Sequence, residues 1–188
     1  MDAQNDDLRL QWQPQPRPDW VIKVNREGSY MSLGEVVALD ENSLIDTAIR
    51  ATGLSDFGAD DWREPFRILM KSFEEDAALN LIGRLRARTE IVNLLKGRLQ
   101  IEDTYKRHPE INDEQIIQPI IIIGQGRSGT SFMLNTLAHN PDNGVLKHWE
   151  MMFPCPPPEK ATYETDPRIA RAHNLIDIWN QVTPEIAA

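Results

Sequence analysis

The sequence holds a single cysteine, Cys155, among 188 residues. That excludes an internal disulfide and suits a reducing compartment, so a cytoplasmic location is expected. No second Cys and no His stands at metal-ligand spacing from Cys155. No metal is expected, and the residue reads as a small apolar side chain. No apolar run approaches the ~20 residues a membrane helix needs. The start, Met1-Asp2-Ala3-Gln4-Asn5-Asp6-Asp7, is acidic and polar, unlike a signal peptide. An excess of positive charge is also missing: 20 Lys and Arg stand against 29 Asp and Glu, a net charge of -9. Non-specific binding to nucleic acid or to an anionic membrane is therefore not favoured. The acidity is uneven. Residues 1–118 carry 22 acidic and 15 basic side chains, whereas residues 119–149 carry only Asp142 against Arg127 and Lys147. An anion would be tolerated in that second stretch.

What is present divides into three. Residues 1–39 are expected to form an extended arm, because Pro14, Pro16 and Pro18 oppose a helix. Residues 40–117 read as helical. Leu44, Ile45, Ala48 and Ile49 share a face, and Gly53 marks a stop. Asp61-x-x-Glu64 resembles a capping box, followed at helical spacing by Phe66, Leu69, Met70 and Phe73. Leu81, Leu85, Val92, Leu95 and Leu99 make a long stripe, and all these apolar residues read as core. Arg84, Arg86, Arg88, Lys96 and Arg98 between them read as a solvated face. His108-Pro109 ends the region.

From Pro119 the pattern changes. Ile120-Ile121-Ile122-Ile123 reads as a strand buried on both faces of a parallel sheet. Phe132, Met133, Leu134, Leu137 and Ala138 indicate a short helix, Asn140–Gly144 a turn, and Val145-Leu146 the opening of a second strand. Asp166-Pro167 starts a further helix, with Asp as N-cap and Pro at the first helical position. The expected fold is α/β: a P-loop-like parallel sheet with flanking helices, incomplete in this chain, preceded by an all-helical N-terminal region.

Between the expected strand and helix lies Gly124-Gln125-Gly126-Arg127-Ser128-Gly129-Thr130-Ser131. Glycines let a backbone curl round an anion. Unpaired amides and the helix dipole attract it, and three hydroxyls and a guanidinium add donors. The spacing Gly124-x4-Gly129 matches a nucleoside-triphosphate loop, but Thr130 stands where that loop needs lysine. An ATPase or kinase is disfavoured on that ground.

Arg127-Ser128-Gly129-Thr130-Ser131 resembles, position by position, the loop with which the sulfotransferase family cradles 3′-phosphoadenosine 5′-phosphosulfate (PAPS). His148-Trp149-Glu150 and Pro154-Cys155-Pro156-Pro157-Pro158 extend the likeness to a bacterial-type branch, over roughly residues 40–188. The resemblance implies transfer of a sulfuryl group from PAPS to a hydroxyl or amine of a small-molecule, glycan or lipid acceptor, without a metal. It assigns PAPS binding to Gly126, Arg127, Ser128, Gly129, Thr130 and Ser131. It gives Arg127 the task of neutralising charge as the sulfuryl group departs. The general base it implies is Glu150, 23 residues beyond Arg127, with His148 the other candidate for its intrinsic pKa. His108, His139 and His173 are read as structural. Nothing after Glu150 resembles the family's site for the 3′-phosphate. Residues 118–188 are thus expected to be the N-terminal part of a sulfotransferase domain, truncated. Two other readings stay open: a P-loop nucleotide-binding enzyme such as a small-molecule kinase, and a non-catalytic helical interaction module.

Overall fold

A computed structural model describes residues 15–126 and 128–186. Among the described residues the first helix, α1 (Asp19–Gly28), falls inside the stretch expected to be an extended arm. Pro18 sits at the N-cap of α1, where no backbone N–H is needed, so the proline precedes the helix without opposing it. A single helical turn, α2 (Leu33–Val36), follows. The preceding residues of the expected arm, 1–14, lie outside the described residues.

Three helices then build the core. Helix α3 (Glu41–Thr52) is capped by Asp40, whose carboxylate accepts from the Ser43 N–H at 2.9 Å, and it ends at Gly53, with φ 72°. Helix α4 (Arg63–Glu75) starts after a tight turn at Asp60–Trp62. The expected capping box does not form there: the Asp61 carboxylate accepts from the Arg98 guanidinium at 3.4 Å, and the N-cap is Trp62, with no side-chain cap. Helix α5 (Leu81–Arg107) has 27 residues, a length of about 40 Å. Asn80 caps it through the Gly83 N–H at 2.8 Å, and His108-Pro109 ends it. Leu44 and Ala48 from α3, Phe66 and Met70 from α4, Ile91, Leu95 and Leu99 from α5, and Phe57 from the α3–α4 connection form one buried cluster.

The inward face of α5 differs from the expected stripe. Ile82 and Ile91 are buried, whereas Leu85 is 46% exposed. Arg84 shares the inward face and is 5% exposed, so the basic residues are not simply a solvated face. Arg84 donates to the Val37 carbonyl at 3.0 Å and pairs twice with the Glu74 carboxylate. Arg88 reaches the Ala38 carbonyl and the Ser43 and Thr47 hydroxyls. Arg98 binds the Phe57 and Ala59 carbonyls at 2.6 and 3.0 Å. The three guanidiniums satisfy loop carbonyls that no strand or helix would otherwise pair, while their stems pack against apolar neighbours.

The expected sheet is absent: no strand occurs among the described residues. Ile120, Ile121 and Ile123 are 64%, 73% and 90% exposed. A buried parallel strand needs ladder partners and covering helices on both faces. Among the described residues no strand pairs with 119–124, and Val145-Leu146 forms no second strand. Apolar composition alone does not bury a segment when no partner surface reaches it.

Three further helices complete the described chain: α6 (Thr130–Ala138), α7 (His148–Met152) and α8 (Pro167–Val182). Helix α6 buries none of its residues. Helices α7 and α8 pack on each other. Asp166 caps α8 as expected, accepting from the Arg168 N–H at 2.9 Å. No helix among the described residues is long and apolar enough to cross a membrane.

Candidate functional site

The glycine-rich loop leads directly into α6. Gly129 is the N-cap, with φ 94° and ψ 13°, a conformation that costs an L-residue about 1–2 kcal/mol. Helix geometry leaves the amides of Thr130, Ser131 and Phe132 without intrahelical acceptors; the first closing bond comes from the Met133 N–H to the Gly129 carbonyl, at 3.0 Å. Upstream, the Ser128 N–H reaches back to the Gln125 carbonyl at 3.2 Å and curls the chain into a turn. A β-carbon on Gly124 would fall 2.6 Å from the Ser128 hydroxyl and 2.8 Å from the Thr130 methyl. Gly124 therefore allows the backbone ahead of the loop to lie against the hydroxyl-bearing turn. Gly126 shows neither a positive φ nor a neighbour within 4 Å of a would-be β-carbon, so its being glycine answers no local geometric demand.

Ser128, Gly129, Thr130 and Ser131 are thus brought together at one helix N-terminus, with Ser128 and Ser131 exposed and Thr130 half-buried. Free amides, hydroxyl donors and the positive end of a helix dipole fit an oxyanion. Arg127, the expected cation of this loop, lies outside the described residues.

His148 and Glu150 lie on α7, and no hydrogen bond among the described residues joins them to 124–131. His148 is exposed at the first position of α7. Glu150, at the third position, turns its carboxylate back to accept the Lys147 backbone N–H at 2.5 Å. In this arrangement it caps its own helix, as a glutamate at that position commonly does.

A network unremarked in the sequence surrounds Glu150. Trp149 is buried, with the Tyr163 ring 5.4 Å and the Arg168 guanidinium 4.8 Å away. Burial pushes the Tyr163 phenol up from its ordinary pKa, and the Glu150 carboxylate beside it adds to the shift. Arg168 pairs with Asp166 at 2.6 Å and donates to the carbonyls of Phe153 and Pro156. The Arg168 hydrogen bond holds the Asp166 carboxyl below the usual carboxylate range. The sequence signal was partial: Asp166-Pro167 announces a cap, but nothing in the spacing says that the arginine two residues on will reach back to the Phe-Pro-Cys-Pro segment. Among the described residues no cluster of His, Cys, Asp and Glu is arranged to hold a metal ion.

No protein-family model matches the chain, and no curated protein matches it in sequence. Solved structures do. The sulfotransferase STF1 from Mycobacterium tuberculosis H37Rv is similar with a TM-score of 0.67 and 29% identity, over 79% of this chain and 41% of that one. The sulfotransferase STF9 from Mycobacterium avium is similar with a TM-score of 0.66 and 30% identity, over 76% of this chain and 37% of that one. The chain therefore spans about two fifths of the length of the bacterial sulfotransferases it matches, and over that part it has a sulfotransferase-like fold.

Proposed function

We propose that this chain carries the phosphosulfate-binding loop of a sulfotransferase that uses PAPS and acts on a hydroxyl or amine acceptor. The observation that supports this best is the turn at Gly124–Ser131. A crowded glycine, a left-handed glycine and three hydroxyls present unpaired amides at the start of α6, in a chain similar to two bacterial sulfotransferases. PAPS supplies an activated sulfuryl group on a good phosphate leaving group. The work left to the protein is positioning and charge stabilisation. Ser128, Thr130, Ser131 and the loop amides hold the oxyanion, and Arg127 is assigned the fixed positive charge. Glu150 is the proposed base for the acceptor proton, with His148 as the alternative. One carboxylate oxygen of Glu150 accepts the Lys147 amide, and the other is the one proposed to take the acceptor proton. The kinase reading has less support, because Thr130 occupies the position where a triphosphate loop needs lysine.

Titration with PAP, the nucleotide product, tests the loop. Arg127→Ala and Ser128→Ala are expected to weaken PAP binding, Arg127→Ala by at least tenfold. Unchanged affinity in both variants would remove the loop from the site.

A further inference from the structure

Beyond the loop, a cavity of about 250 Å³ opens between α5 and the α7–α8 segment, sharing no residue with 124–131. Three cations line it, Lys96 from α5 and Arg168 and Arg171 from α8, and no carboxylate does. In a chain with net charge -9 this is an unusual local excess. Arg168 is neutralised by Asp166. Lys96 and Arg171 are not: no carboxylate pairs with either among the described residues. Nor does either have an acidic residue three or four positions away on its helix. Elsewhere the chain does pair its helical cations in that way, Lys71 with Glu75 and Arg107 with Asp103.

The remaining wall specifies more than charge. Asn93 and Gln100, on the same side of α5 as Lys96, add neutral amide donors. The Arg171 guanidinium lies over the Phe153 ring, 4.2 Å from its centroid. Stacking occupies the faces of the guanidinium but leaves its in-plane N–H groups free to form a bidentate fork. Phe153 with Met152 provides an apolar floor. The cavity, about 250 Å³ and open to solvent on one side, is adequate for an anionic head on a small apolar body.

We infer that this cavity is a binding site for a small organic oxyanion, a carboxylate or a phosphate ester on a short apolar or aromatic group, held by Lys96 and Arg171. The inference stands on the cavity and its charges and does not require the sulfotransferase reading.

Calorimetry with benzoate and with phenyl phosphate, using neutral benzamide as control, tests it on the full chain. Saturable binding of at least one anion is expected, with benzamide at least tenfold weaker. Lys96→Gln and Arg171→Gln should each weaken the anion at least fivefold, and Lys71→Gln, outside the cavity, should not. All three variants should melt within a few degrees of the parent, since these side chains make no buried pair. No saturable anion binding, equal binding of benzamide, or full affinity in the Lys96→Gln/Arg171→Gln double variant would each overturn the assignment. A preference for benzoate marks the carboxylate class, and a preference for phenyl phosphate marks the ester class. A PAP titration that fails while benzoate still binds would reject the loop reading and leave this one standing.

Discussion

Replacing Arg84 by methionine removes a buried cation while keeping most of its apolar stem. Arg84 is 5% exposed and makes three hydrogen bonds, one to the Val37 carbonyl and two to Glu74. Val37 is 4% exposed, so its carbonyl would be left in a dry site, a loss of about 1–3 kcal/mol. Glu74 is 40% exposed on its side chain and can turn to water, so the lost ion pair adds only about 0–1 kcal/mol. The sum is about 1–4 kcal/mol, or a fall in Tm of roughly 2–16 °C for a chain of this size. Urea and thermal unfolding followed by circular dichroism would measure it, with the exposed Arg67→Met as control.

The pH dependence gives a second readout. The Arg84 hydrogen bond, ahead of burial's opposing effect, holds the Glu74 carboxyl below its ordinary value. A depressed carboxyl stabilises the fold above the unfolded-state pKa, about 4.3, and that contribution is lost as pH falls through the folded-state value. The gap between parent and Arg84→Met should therefore hold down to about pH 5 and narrow below it. A penalty under about 0.5 kcal/mol at pH 7, or one that widens below pH 5, would refute this account of the helical core.

Other outcomes follow from the same geometry. Leu99→Ala, at a fully buried position in the core cluster, should cost about 2–5 kcal/mol by urea unfolding. Gly129→Ala should cost about 1–2 kcal/mol from its left-handed backbone and also weaken PAP binding, whereas Gly126→Ala, in open space, should change stability little. Glu150→Gln in the active enzyme should cut turnover by about 10²–10⁴-fold with PAP affinity nearly unchanged. If turnover survives Glu150→Gln and is lost in His148→Ala, the base is His148.

Local chemistry was legible where a residue acts on its own neighbours. Gly53 as a helix stop, Asp166-Pro167 as a start, His108-Pro109 as an end and Asn140–Gly144 as a turn all depend on backbone rules that act within a few residues. The glycine-serine loop before α6 belongs to the same class. Illegible features depended on distant partners. Four isoleucines read as a buried strand, yet burial needs a second segment alongside, and none of the described residues supplies it. Arg84, Arg88 and Arg98 read as a wet face because a helical wheel does not show which carbonyls a connecting loop will leave unpaired.

The central claim is that the loop at Gly124–Ser131 serves a phosphosulfate nucleotide. Calorimetric titration of the same protein with PAP and with ATP, each with and without Mg²⁺, tests it most directly. The account predicts tighter binding of PAP than of ATP, with no dependence on Mg²⁺. Mg²⁺-dependent binding of ATP with no response to PAP would contradict it.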